Sequence, residues 1–311
     1  MINDDFLHYL CCPICKSDLK KQDNFLICEN CGKKYEIIEG NVVKIISDLT
    51  PDLELSIYKW DKFYQKRLED KSYLKEYKNY IENFFKDTHD QLFREKELNK
   101  ESIYLEIGCG PMFFGQEIAN EVGLVIGVDF CLSALEIAKK SLEAKGDKNY
   151  LLIQGDILNM PIKENTIDLI YGGGVIEHFK NTQKCVDELY RVLKKDGISF
   201  NTVPYLNVGS LTYRQIWGNI PNFPVLKQLA EFIHLRLLRG KHMRFGYELS
   251  FLGSTLKKIH KRAGFKKVYV DKFKVKLSFD FIPAKFLKKI CIMIANNHRL
   301  FWPMIKIIAK K

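Results

Sequence analysis

The 311-residue sequence has no apolar run that approaches the roughly 20 residues needed to span a membrane as a helix. The first residues, MINDDFLHYL, also lack the basic start and the long apolar stretch of a secretory signal peptide. We therefore expect a cytoplasmic protein. Its nine cysteines then suggest thiols used for metal binding or packing rather than for disulfides.

Acidic residues are scarce in the last third of the chain. Residues 205–311 contain 22 Lys and Arg but only four Asp and Glu, a net charge of +18, whereas the whole chain carries +11. The preceding residues are therefore net negative. We expect any anionic partner to dock on the last third.

The glycine-rich stretch YLEIGCGPMFFG, residues 104–115, lacks a third glycine. Gly108 and Gly110 are present, but position 113 is Phe and position 112 is Met. A dinucleotide site of the form G-x-G-x-x-G needs that third glycine so that a helix can approach the pyrophosphate. The loop therefore argues against a nicotinamide dinucleotide as the cofactor.

Strand and helix patterns alternate from residue 103 to residue 204. The apolar run Ile103 to Ile107 ends at a glycine, which is typical of a buried parallel strand. Further strand patterns are LVIGVDF, YLLIQGD, TIDLIYG and GISFNTVP, and the helix patterns between them are SALEIAKKSLEAK and TQKCVDELYRVLKK. This order predicts an α/β fold with a Rossmann-like, doubly wound sheet.

Carboxylates follow the first three of these strands. Asp129 ends the second strand, 23 residues after Glu106, where a carboxylate can accept hydrogen bonds from a ribose diol. Asp156 follows the third strand, where it could meet an adenine amino group.

With these spacings, residues 100–204 resemble class I S-adenosylmethionine (SAM) methyltransferases of the type 11-like group. The resemblance rests on Glu106-x-Gly108-x-Gly110, on GVDF, on Gly155-Asp156, and on IDLIYGGGVIEHF and LYRVLKKDGISFNTVP. It implies a methyltransferase that uses SAM, which has no phosphates and so needs no third glycine. The implied SAM-binding residues are Glu106, Gly108, Gly110, Asp129, Asp156 and Ile157.

Two Cys-x-x-Cys pairs lie near the N-terminus, Cys12 with Cys15 and Cys28 with Cys31. Four thiolates can hold a structural Zn²⁺ and leave no position for water. Cys11 could replace Cys12 as a metal ligand, but with Cys12 both pairs have the same Cys-x-x-Cys spacing. Residues 8–46 resemble the small zinc-ribbon family that activates methyltransferases, here fused to the enzyme.

The segment after the fourth strand indicates the acceptor atom. It reads Gly172-Gly173-Gly174-Val175. It contains neither the Asn/Asp-Pro-Pro-Tyr motif of methyltransferases that act on amino groups nor the Pro-Cys motif of those that act on carbon. An oxygen acceptor is favoured. His178 is the candidate general base, since imidazole titrates near neutral pH. The alternative, which we weigh slightly higher, is a structural histidine beside the cofactor loop.

Two basic, apolar segments follow the core. In residues 225–241, one side carries Leu226, Leu229, Phe232 and Ile233, with Arg236, Arg239 and Lys241 nearby. Residues 281–311 hold seven Lys and Arg and no Glu, with Phe286, Ile290 and Met293 at helical spacing. Such helices can lie on an anionic membrane surface. They can equally pack on the sheet with a solvated basic face, and RNA is a further partner for a basic, aromatic surface.

The sequence thus predicts five regions. They are a zinc ribbon (1–48), a helical connector (49–98), a SAM-binding core (99–204), an acceptor-side insertion with remaining strands (205–280), and basic apolar helices (281–311). The predicted activity is O-methylation of a small-molecule, glycan or lipid-linked acceptor, in the cytoplasm or at the inner membrane face. An RNA methyltransferase and a non-catalytic binding module are the alternatives. The oligomeric state stays open.

Overall fold

The computed structural model describes residues 2–46, 51–243, 246–273 and 282–311, apart from the side chains of residues 51–57, 59 and 296. The chain divides into two compact units. The first comprises residues 1–172, 187–199 and 311, and the second comprises residues 173–186 and 200–310.

The first unit begins with a small antiparallel sheet after a 3-10 helix at Asp4–Tyr9. Its strands are β1 (Leu19–Gln22), β2 (Phe25–Cys28), β3 (Lys34–Glu39) and β4 (Val42–Ile45). Buried and exposed residues alternate in β3, which is typical of a sheet with one face on a core.

The segment between the small antiparallel sheet and the core sheet is helical. It contains α1 (Pro51–Glu69), α2 (Ser72–Tyr80), a π-helical turn at Ile81–Phe85, and α3 (Lys86–Phe93).

A parallel sheet forms the core of the first unit. Its strands and the helices between them are β5 (Ile103–Ile107), α4 (Gly115–Ile118), β6 (Leu124–Asp129), α5 (Leu132–Ala144), β7 (Tyr150–Gly155) and β8 (Ile167–Gly173). Strands β5, β6 and β7 are buried along their whole length, which explains why their sequences are almost entirely apolar, with Glu106, Asp129 and Gln154 near their carboxyl ends. The predicted doubly wound α/β fold is confirmed.

The order of neighbouring strands in this unit is β1-β2-β3-β4-β7-β6-β5-β8. Strand β5 lies between β6 and β8 and is parallel to both, so the chain reverses its direction of winding at β5. In such sheets, ligands bind beyond the carboxyl ends of the strands at this reversal. Strand β4 pairs in parallel with β7, so the N-terminal segment extends the core sheet.

Helix α6 (Thr182–Val192) and strand β9 (Leu193–Pro204) belong partly to each unit. The second unit continues with α7 (Val208–Leu211), a 3-10 helix at Tyr213–Trp217, β10 (Ile220–Pro221), α8 (Pro224–Glu231) and a π-helical segment at Phe232–Leu237. It ends with β11 (Leu249–Ser250), α9 (Gly253–Ala263), β12 (Lys267–Lys272), α10 (Lys285–Asn297), a 3-10 turn at Arg299–Phe301 and β13 (Met304–Lys310).

The C-terminal residues correct one prediction. Helix α10 lies within the region predicted to be helical, but the helical prediction is wrong for Met304–Lys310, which forms β13 and pairs antiparallel with β12. The β-branched residues Ile305, Ile307 and Ile308 are buried there, and branched side chains suit a pleated sheet surface. One of the strands predicted within residues 205–280 is found at Lys267–Lys272, while residues 274–281 lie outside the described residues.

Within the described ranges, no helix has the length and apolar character needed to cross a membrane.

Candidate cofactor and metal sites

Glu106 lies at the carboxyl end of β5 and is almost fully buried. Its Oε2 accepts hydrogen bonds from the Gly115 amide, at 2.8 Å, and from the Tyr104 hydroxyl, at 3.0 Å. Burial raises the pKa of Glu106 to about 8, against the lowering effect of these two donors. The carboxyl group thus ties the end of β5 to the start of α4.

The glycine-rich loop turns sharply after β5. Gly108 and Gly110 both have positive φ, 51° and 50°, which glycine adopts without strain. Met112 also has a positive φ, 55°, and its side chain is fully buried. Cβ atoms built at Gly115 and Gly127 would lie 2.5 Å from Met112 Cε and 3.2 Å from Met112 Sδ. These two glycines therefore make room for the Met112 side chain.

Asp129 lies at the carboxyl end of β6, next to this loop. Its Oδ2 accepts the Gly110 amide and its Oδ1 accepts the Cys131 amide, both at 2.8 Å. Each carboxylate oxygen has two lone pairs, so both can accept one more hydrogen bond. Burial raises the pKa of Asp129 to about 6. The structure thus brings Glu106, the glycine loop and Asp129 together, and Asp129 retains capacity for two hydroxyl donors.

Asp156 follows β7 and begins the 3-10 turn Ile157–Asn159. Its Oδ1 accepts the Leu158 amide and its Oδ2 accepts Asn159 Nδ2, both at 2.9 Å. The Ile157 side chain is buried. The predicted adenine-side residues therefore form a short, locally hydrogen-bonded turn at the end of β7, the strand beside β6.

Helix α1 contributes two residues that the sequence analysis missed. A Cβ at Gly110 would lie 2.9 Å from the Tyr64 hydroxyl oxygen, so Tyr64 covers the glycine loop. Asp61 accepts hydrogen bonds from the amide and hydroxyl of Ser133, at 3.1 and 2.7 Å, in the first turn of α5. A carboxylate is favourable at a helix N-terminus. No local sequence signal distinguishes these two residues from their neighbours in a helix rich in tyrosine and charge.

The four predicted metal ligands converge in the N-terminal segment. The sulfur atoms of Cys12, Cys15, Cys28 and Cys31 all lie within 4.8 Å of one another. The Cys12–Cys31 and Cys15–Cys28 sulfurs are 3.7 and 3.4 Å apart. Zn–S bonds of ~2.3 Å in a tetrahedron place sulfurs ~3.8 Å apart, so this donor set fits zinc. Hydrogen bonds involving Ser17 lower the pKa of the Cys15 thiol to about 6, which favours the thiolate.

Cys11 lies outside this cluster. Its thiol is buried, its pKa is raised by that burial, and its amide donates to the carbonyl of Pro161 at 3.1 Å. The ambiguity between Cys11 and Cys12 is therefore resolved in favour of Cys12 by position in the fold.

The cysteine segment also braces the loop after β7. Lys16 Nζ donates to the Met160 carbonyl at 3.2 Å and pairs with Glu188 at 3.1 Å. Glu188 accepts the Met160 amide, and Arg191 donates to the Met160 and Ile162 carbonyls. The loop that begins with Asp156 is thus held from both sides within the first unit.

His178 belongs to the second unit, in the 3-10 turn Ile176–His178. Its Nδ1 is 2.7 Å from the carbonyl oxygen of Tyr247. A carbonyl only accepts hydrogen bonds, so Nδ1 carries the proton and Nε2 of the neutral ring is left as an acceptor. This tautomer is the one that a general base acting through Nε2 requires.

The neighbouring Glu177 is buried in the same unit, and its Oε2 makes no hydrogen bond. Burial raises its pKa well above the usual range, and the charge of Glu248 acts in the same direction. Glu248 itself accepts Asn219 Nδ2 at 2.8 Å and lies 3.6 Å from Arg214. Two acidic side chains, Glu177 in this turn and Glu248, are thus buried close enough to repel one another.

Two family models match this chain. A methyltransferase domain matches residues 98–211, and a Trm112p-like protein matches residues 3–40. The two matches coincide with the sheet that carries Glu106 and Asp129 and with the segment that carries the four cysteines.

Curated relatives are similar over part of the chain. Demethylmenaquinone methyltransferase of Lactobacillus johnsonii is 26% identical over 195 residues, 58% of this chain and 75% of that protein. Malonyl-acyl-carrier-protein O-methyltransferase of Hamiltonella defensa is 30% identical over 135 residues, 43% of this chain and 49% of that protein. The chain thus spans three quarters of the first relative and about half of the second.

One solved structure is similar over most of the chain. It comes from a complex between the Haloferax volcanii Trm112 methyltransferase activator and a methyltransferase, with a TM-score of 0.53. The match covers 79% of this chain and 96% of that chain at 11% identity. At this identity the likeness concerns the fold alone.

Proposed function

Since this chain is a class I methyltransferase with an N-terminal Trm112p-like segment, we propose that it transfers a methyl group from SAM to an oxygen of a small-molecule, glycan or lipid-linked acceptor. The observation that carries the SAM assignment is Asp129. It is buried at a strand end beside the glycine loop, and both of its oxygens can accept further hydrogen bonds.

Each residue of the first unit has a distinct part in this proposal. Asp129 accepts hydrogen bonds from the two ribose hydroxyls, and Gly108 and Gly110 leave space for the methionine end. Asp156 and Ile157 border the adenine, while Glu106 holds the loop in shape through the Gly115 amide. The Tyr64 hydroxyl, next to Gly110, contacts the methionine end. Bound SAM supplies an electrophilic methyl group, so positioning accounts for most of the catalysis.

We assign His178 the role of general base. Its Nδ1 is held by the Tyr247 carbonyl, and its Nε2 accepts the proton of the acceptor hydroxyl. The four cysteines hold one Zn²⁺ in a structural role, since all four positions are filled by protein ligands.

The absence of the amino- and carbon-methylation motifs supports an oxygen acceptor, and the names of relatives support an acceptor other than nucleic acid. One relative is named for demethylmenaquinone and another for O-methylation of a malonyl carrier protein. Neither name refers to RNA, and both favour a non-nucleic-acid acceptor for this chain.

The test uses SAM labelled on its methyl group. The protein is incubated with lysate of its source organism, and RNA, protein, lipid and small-molecule fractions are separated. Label in the lipid or small-molecule fraction, absent with Asp129→Asn, supports the proposal. Label in RNA would establish the RNA methyltransferase instead. If calorimetry detects no SAM binding at all, the chain is a non-catalytic binding module.

A further inference from the structure

The helical segment 223–238 of the second unit exposes its apolar side chains. Nine of its sixteen residues are large, exposed hydrophobic residues. Val225 is 70% exposed, Leu229 55%, Phe232 50% and Leu237 63%. Exposed hydrophobic residues are ordinary when scattered singly, but a continuous set along one helix marks an interaction surface. The alternative in which this segment packs its apolar side on a sheet is therefore wrong.

The opposite side of the same segment is polar and faces the protein. His234 is buried, and its ring nitrogens lie 2.8 Å from His242 Nε2 and 2.9 Å from Gln215 Oε1. Glu231, one turn earlier, accepts a hydrogen bond from the Tyr247 hydroxyl at 2.7 Å. Ala230 is the remaining buried residue on this side. These polar contacts fix the rotation of the helix, so the apolar side is held outward.

The charges around the apolar side are positive. Arg236, Arg239 and Lys241 are exposed at the end of the segment. Glu231 is the single acid in residues 223–241, and it is engaged by Tyr247. Cations beside an exposed apolar helix face complement an anionic lipid surface, where the apolar side chains enter the acyl boundary and the cations meet the headgroups.

We propose that residues 223–241 dock the protein on an anionic lipid membrane surface, with the helix lying in the plane of the interface. Helix α10 of the same unit has the same chemistry. Phe286 and Met293 are 75% and 58% exposed, and the helix carries Lys285, Lys288 and Lys289 but no acid. SAM binding does not depend on this docking, because the residues assigned to SAM lie in the other unit.

Sedimentation of the full-length protein with lipid vesicles tests the proposal. Vesicles of phosphatidylcholine alone are compared with vesicles containing about 30% phosphatidylglycerol, at low and at high salt. We expect binding to the anionic vesicles that weakens as salt rises. Leu229→Gln with Phe232→Gln should lower the partition coefficient about tenfold or more, because two apolar side chains no longer enter the lipid.

Matched variants separate this surface from general effects. Arg236→Gln with Arg239→Gln should weaken binding to anionic vesicles severalfold, whereas Lys257→Gln with Lys258→Gln, exposed on α9, should change it little. Retained SAM binding by the Leu229–Phe232 double variant would show that it is folded.

Three outcomes would overturn the proposal. Equal binding to neutral and anionic vesicles, or none to either, contradicts an anionic lipid surface. Unchanged vesicle binding by the folded Leu229–Phe232 double variant would place the contact elsewhere. A dimer in sedimentation velocity that the double variant converts to a monomer would assign this face to a second copy of the chain.

Discussion

The affinity for SAM is expected to depend on pH through Asp129. Burial raises the pKa of this carboxyl to about 6 in the ligand-free protein. Two ribose hydroxyls donate to the ionised form, so SAM binding should displace the proton. If only the carboxylate binds, the apparent Kd is multiplied by one plus the ratio of protonated to ionised Asp129. That factor is about 11 at pH 5 and about 1.1 at pH 7, a tenfold change worth about 1.4 kcal/mol.

Isothermal titration calorimetry measures this directly. The Kd of SAM should fall about tenfold between pH 5 and pH 7, and about half a proton should be released at pH 6, read from buffers with different ionisation enthalpies. The α-carboxyl and α-amino groups of an amino acid titrate mostly outside this window. Asp129→Asn should bind SAM more weakly and with no such dependence.

Glu106 is the other buried carboxyl near the loop, with a pKa raised to about 8. Glu106→Gln therefore serves as the matched control, and its Kd should still change about tenfold between pH 5 and 7. A wild-type Kd that varies less than about twofold over this range would refute the assignment of Asp129 to the ribose.

Four further predictions concern other sites. Cys28→Ser should lose its zinc and melt at a lower temperature, while Cys11→Ser keeps about one zinc per chain in metal analysis; equal zinc in both would contradict the four-cysteine site. His178→Asn preserves a donor to the Tyr247 carbonyl but removes Nε2, so kcat should drop about 100-fold with little change in KM; an unchanged kcat would make His178 structural. Tyr64→Phe should weaken SAM binding about fivefold in calorimetry, the value of one hydrogen bond, and equal affinity would remove Tyr64 from the site. Burial lowers the pKa of His260 to about 4 in the folded protein, so the unfolded chain binds more protons than the folded one as pH falls below about 6.5. Between pH 7 and pH 4, the free energy of unfolding of the wild type should therefore fall by about 3 kcal/mol more than that of His260→Leu, measured by denaturant titration. Equal losses in the two proteins would contradict this prediction.

The sequence by itself determined the elements whose signals are local. Nearly continuous apolar runs marked β5, β6 and β7, because strands buried on both faces need few polar residues. The spacing of Glu106, Gly108 and Gly110 gave the turn after β5, since positive φ favours glycine. Two Cys-x-x-Cys turns gave the cysteine cluster, because each short turn brings its own two thiols together.

The tertiary structure decided what depends on residues far apart in the chain. Met112 is accommodated by Gly127 across the loop, and Tyr64 reaches Gly110 from a helix more than forty residues earlier. The pairing of β4 with β7 joins the cysteine segment to the core, which no spacing within either segment indicates.

The C-terminal third shows most clearly which features the sequence determines and which depend on tertiary contacts. Its composition, basic and apolar, is plain in the sequence, but composition does not say which side of a helix is covered. Hydrogen bonds that join His234 and Glu231, on the polar side of segment 223–238, to Gln215, His242 and Tyr247 turn its apolar side outward. Pairing with β12 likewise makes Met304–Lys310 a strand where basic helices were predicted. In both cases the partners lie elsewhere in the chain, and their positions are fixed only when the whole unit folds.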